Sequence, residues 1–138
     1  MNWKLLFYLS LLGLAMGIAT VYWIGQHVEP VFWLLVFVFS AWMIVRRTPG
    51  RYFLHGFCLG LLNCIWVTAA HALLFHTYWV GHPQMAEMSQ KMPLADHPRR
   101  AMVLFGPVIG ALSGVVIGLI AVLWGALGGK KAATAGSA

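Results

Sequence analysis

The placement of charge constrains this chain more than any other feature. The sequence has nine Lys or Arg and three Asp or Glu among 138 residues. They cluster so that four long runs carry no charge: Leu5–Gln26, Pro30–Val45, Tyr52–Gly81 and Ala101–Gly129. A helix needs about 20 mostly apolar residues to cross the hydrocarbon of a bilayer. The runs therefore predict an all-α membrane protein of one domain, residues 1–131. Its helices are expected at about 5–24, 30–45, 52–80 and 101–127, with an outer loop at 81–100. The small-residue tail, 132–138, is expected to be disordered. A cleaved signal peptide is the rival for the first run, with Ala15-Met16-Gly17 as a poor cleavage site. The apolar run continues to Ile24, so it is read as a retained span.

Lysine and arginine set the expected topology. With the N-terminus inside, Lys4, Arg46, Arg47, Arg51, Lys130 and Lys131 fall on one side, and Lys91, Arg99 and Arg100 on the other. The bias favours an antiparallel four-helix bundle with both termini cytoplasmic, N-in/C-in. The net charge of +6 then belongs to helix ends and lipid headgroups, and nucleic acid is not an expected partner.

Glycines supply the second constraint. Gly106, Gly110, Gly114 and Gly118 recur every fourth residue inside the last apolar run. In a soluble helix each costs about 1 kcal/mol relative to alanine. In lipid the same spacing makes a groove where another backbone comes close. Gly13 and Gly17 repeat the spacing in the first run and are natural partners for the groove. Gly56 and Gly60 of the third run, or a second copy of the chain, are the other candidates. Pro107 is expected to kink the last helix near Gly106 or to mark its true start. The second run holds Phe32, Trp33, Phe37, Phe39 and Trp42 and no glycine, so its surface should face lipid. Glu29-Pro30 suits its first turn. The turn at Thr48-Pro49-Gly50 should make runs two and three neighbours.

The third run is the most polar. On a helical wheel Gly56, Gly60, Asn63, Cys64, Val67, Thr68, Ala70, His71, Leu74, Tyr78 and His82 share an arc of about 160°. That arc should face the bundle, because polar groups in lipid need partners. Trp66 lies mid-run, and its indole N–H also requires an acceptor. Cys58 and Cys64 are six residues apart, about 9 Å along the helix, too far for a disulfide. They read as small buried hydrophobes.

From the third run onward the chain resembles a family of small four-helix bacterial membrane proteins known only as a domain of unknown function. The matching residues are Pro49-Gly50-Arg51-Tyr52-Phe53-Leu54-His55-Gly56, Asn63, Trp66, Thr68, His71, His82-Pro83, Pro98-Arg99 and Gly106-Pro107-Val108-Ile109-Gly110. The resemblance implies four helices in the bacterial inner membrane. It implies no activity and no catalytic residue.

Three constellations could carry function. Asn63, Thr68, His71 and Tyr78 form a candidate binding site. His71, about 12 Å inside the outer end of its helix, is placed to face the glycine groove. An intramembrane ionisable group is a functional candidate by default, although packing alone explains a neutral histidine. His82, Met85, Met88 and Met92 form the second. Thioethers and imidazole suit copper(I), the one candidate cofactor, whereas a methionine face resting on the bundle explains the same pattern. Met85, Met88 and Met92 fall on one face of a short helix opened by His82-Pro83. The third is Ser113-Gly114, slightly like the serine motif of rhomboid intramembrane proteases, with Ala111 where that motif has glycine. Here a groove serine is the simpler account. The leading reading is an inner-membrane protein without enzymatic activity that binds a protein partner, a lipid or an apolar small molecule. Copper(I) handling at the periplasmic face is second and intramembrane hydrolysis third. The expected partners are the lipid bilayer and either another copy of the chain or another membrane protein.

Overall fold

The computed structural model describes residues 1–91 and 93–135, with side chains described as far as residue 127 apart from residue 92. The described chain is helical and contains no strand. The elements are α1 (Trp3–Tyr22), α2 (Glu29–Arg47), α3 (Tyr52–Leu73), α4 (Phe75–Gly81), α5 (Pro83–Gln90) and α6 (Pro98–Ala135). Four of them, α1, α2, α3 and α6, are long and apolar enough to cross a membrane. The tail expected at 132–138 lies wholly outside the described side chains, as does Met92.

Local chemistry explains several boundaries. Asn2 caps α1 by accepting the Leu5 N–H at 3.1 Å, which satisfies one of the otherwise unpaired first-turn donors. Glu29 and Pro30 open α2, where the missing proline N–H costs nothing and the carboxylate complements the positive helix end. Pro83 starts α5 for the same steric reason. Pro107 lies inside α6, which starts at Pro98, nine residues earlier, and runs through it.

The third run is not one helix. α3 stops at Leu73, and Leu74 takes φ −98°, ψ 28° before α4 begins. No proline or glycine marks the break. The bend turns Tyr78 inward, where it is 4 % exposed, so a tertiary contact overrides local helix propensity. As a result His71 lies in the last turn of α3, nearer the helix end than a continuous helix 52–80 implies.

α3 is the central element: its largest interfaces are with α6 and α1. A Cβ on Gly56 would fall on the backbone of Gly118, and one on Gly60 on that of Gly114. A Cβ on Gly106 would meet Thr68 Oγ1, and one on Gly110 would meet Cys64. The glycines of α1 contact α3 rather than α6. A Cβ on Gly13 would meet the Asn63 side chain, and one on Gly17 would lie 3.1 Å from Val67 Cα. The pairing of Gly13 and Gly17 with the α6 groove is thus replaced by two separate faces of α3. α2 packs chiefly on α6, with smaller contacts to α1 and α3, so the short turn does not make α3 its main neighbour. It buries Ser40, Ala41 and Ile44 and exposes Phe32, Leu34, Leu35 and Phe39. Leu6, Leu9, Ala41, Ile44, Leu59, Ile117 and Ala121 form the main apolar core.

Candidate functional site

The polar residues of α1, α2, α3 and α4 converge at the end of the molecule where α3 breaks. Thr20 Oγ1 lies 2.9 Å from His71 Nε2 and 3.1 Å from the Gly17 carbonyl. The hydroxyl has one hydrogen; when it goes to Gly17 O, His71 Nε2–H donates to Thr20, and in the other tautomer Thr20 donates to Nε2. The His71 ring stacks on Tyr78 with centroids 3.9 Å apart, and Tyr78 stacks on His82 at 4.2 Å. The i, i+4 spacing of Tyr78 and His82 aligns their rings across the α4–α5 junction, and the bend at Leu74 brings His71 beneath them.

The His82 end carries charge. His82 Nδ1–H donates to the Tyr78 carbonyl at 3.0 Å, so in the neutral ring Nε2 is an acceptor. It lies 3.4 Å from Glu29 Oε2, itself an acceptor. Unprotonated, the buried Nε2 has no hydrogen-bond donor. A proton on Nε2 turns the contact into a charge-assisted pair. Glu29 Oε1 accepts from Trp33 Nε1 at 3.1 Å. Burial, and after it the Glu29 carboxylate, push the Tyr78 phenol above its ordinary range. His82 is 1 % and His71 8 % exposed, and neither lines the cleft beside Lys4 and Arg51 or the one beside Phe75 and Arg100.

Protein-family models, curated proteins and solved structures return no match to this chain. Its functional reading therefore rests on these side chains.

Of the four residues expected to form a binding site, the structure joins His71 and Tyr78 and separates the other two. Thr68 faces Gly106 of α6, and Asn63 faces Gly13 of α1. Both ends of the buried Asn63 amide lack a hydrogen-bond partner. His71 itself turns to α1 through Thr20 instead of facing the α6 glycines. Gly110 and Gly114 lie at the level of Cys64 and Phe57, so Gly106 is the groove glycine nearest the polar end.

His82, grouped by sequence with the methionines, is enclosed by Tyr78 and Glu29, whereas Met85 and Met88 are 43 % and 50 % exposed and α5 buries no residue. Among the described residues no three His, Cys, Asp or Glu side chains form a metal-binding group. Ser113 adjoins Gly114, whose neighbour on α3 is Phe57. His71 lies fourteen residues further along the chain, about 21 Å at the helical rise. A serine–histidine pair would need contact at hydrogen-bond distance.

Sequence reasoning missed Glu29 and Thr20 as partners. The sequence marks Glu29 only as a first-turn carboxylate of α2, and the fold brings it to His82. The acceptor that Trp66 requires is Ser10 Oγ on α1, at 3.1 Å.

Proposed function

We propose that the chain is an integral protein of the bacterial inner membrane, of the four-helix type it resembles, with antiparallel spans, both termini cytoplasmic and glycine-lined helix contacts. It works as a non-enzymatic binding and interaction module. Its ligand class is a protein partner, a lipid or an apolar small molecule, and among these we take a second membrane-spanning protein or a second copy, packed on the otherwise lipid-facing surface of α2. The observation that carries the reading is the closure of the Thr20–His71–Tyr78–His82–Glu29 chain. A general base must reach a substrate proton. Here both histidines are buried and held by groups of the same chain. Such an arrangement holds helices in register at the outer face and supports a scaffold rather than a catalyst.

The test uses a photo-reactive amino acid at Leu35, an exposed position of α2, in intact cells. The reading expects a discrete protein adduct larger than the monomer. A labelled monomer carrying only lipid would overturn the choice of a protein partner.

A further inference from the structure

A cleft of about 720 Å³ opens at the opposite end of the molecule, between the start of α1 and the α2–α3 turn. Lys4, Arg47 and Arg51 line it together with Trp3, Asn2 and His55. All three cations are exposed, no carboxylate lines the cleft, and none of the three forms an ion pair among the described residues. The neighbouring Arg46 is engaged elsewhere, with its guanidinium 4.9 Å from the centroid of the Trp42 ring. Two consecutive arginines are thus divided between an aromatic face and the cleft.

The cleft is held in shape by an enclosed histidine. His55 is 3 % exposed. Its Nε2 accepts the Asn2 backbone N–H at 3.1 Å, and its Nδ1–H donates to the Arg51 carbonyl at 2.9 Å. These two bonds tie the N-terminal segment that carries Lys4 to the turn that carries Arg51. Arg51 adopts a left-handed conformation, φ 54°, ψ 37°, ahead of an α3 terminus that lacks a side-chain cap. α1 and α3 begin at this cleft and α2 ends there, so two positive helix ends and one negative end meet beside the three cations, which leaves the balance positive. A compact anion answers that balance. The cleft lies at the end of apolar spans, beside Trp3, at the depth where phospholipid headgroups sit.

We propose that this cleft is a phosphate-binding site, suited to the headgroup of an anionic phospholipid. Lys4, Arg47 and Arg51 supply the charge, and His55 positions the two segments that carry them. The inference is independent of the interaction partner proposed above and of which side of the membrane the cleft faces.

The experiment titrates the full chain, in neutral detergent, with short-chain phosphatidylglycerol, short-chain phosphatidylcholine and inorganic phosphate, and reads binding by calorimetry. Phosphatidylglycerol should bind saturably and more tightly than phosphatidylcholine. Lys4→Gln and Arg47→Gln should each weaken it about fivefold, the effect of one basic residue at a charged membrane surface. Arg47→Lys should restore most of the binding, Arg46→Gln should bind as wild type, and circular dichroism should show each variant folded. Displacement of the lipid by inorganic phosphate at a similar concentration assigns the site to free phosphate; lipid binding that phosphate does not displace assigns it to the headgroup. The proposal is overturned if neither phosphatidylglycerol nor phosphate binds saturably, or if folded Lys4→Gln and Arg47→Gln bind like wild type.

Discussion

Side chains of identical chemistry meet different environments in this protein, and the difference decides what each substitution does. Gly60 has the Gly114 backbone where a Cβ would go, whereas Gly25 and Gly81 have open space. Gly60→Ala is expected to lower stability by about 1–3 kcal/mol through overpacking. Gly81→Ala should melt close to wild type in the same detergent. Equal melting of the two variants would contradict the close approach of α3 and α6. Tyr78 gives a prediction with a sign. Its phenol titrates above the ordinary range because of burial and Glu29. Above about pH 10, the ordinary tyrosine value, the unfolded chain loses a proton that the folded chain keeps. The unfolded state then binds fewer protons, and stability falls as pH rises. Tyr78→Phe retains the ring between the histidines and should flatten that decline between pH 9.5 and 11. A wild-type slope in the variant would assign the alkaline loss to another group.

Secondary structure was legible wherever local chemistry controlled it. The apolar runs locate the four long helices, Glu29-Pro30 opens α2, and His82-Pro83 separates α4 from α5. The end of α3 was not legible, because neither proline nor glycine marks Leu74 and the bend depends on stacking between residues seven apart. The candidate site was legible only in part for the same reason. His71 and Tyr78 stand out as polar groups on one arc, but Thr20 and Glu29 reach them from separate helices. Asn63 and Thr68 share the arc and still diverge, since α3 is covered by α1 on one face and α6 on another. The stack makes α4 a dependent element: it is seven residues long and buries Tyr78 alone. Tyr78→Ala should therefore speed amide exchange across residues 75–81 about tenfold or more and leave the Leu59–Asn63 stretch of α3 protected. Unchanged exchange in α4 would mean that the ring stack does not hold it.

At the scale of the whole molecule, the charged side chains and histidines of the described residues sit at two ends, with the glycine contacts between them. One end gathers Glu29 and the stacked rings, the other gathers Lys4, Arg47 and Arg51, and α3 connects the two. This separation gives functional meaning to the sidedness of the chain: the end with Glu29 and the stacked rings faces the periplasm in the proposed topology, and the basic cleft faces the cytoplasm. That topology is the central claim, since the identity of any headgroup or partner within reach of either end depends on it. The most direct measurement compares two alkaline phosphatase fusions in living bacteria, one inserted after Glu87 in α5 and one joined after Ala138. Activity at Glu87 with silence at Ala138 is the predicted result; silence at Glu87 with activity at Ala138 would contradict the account.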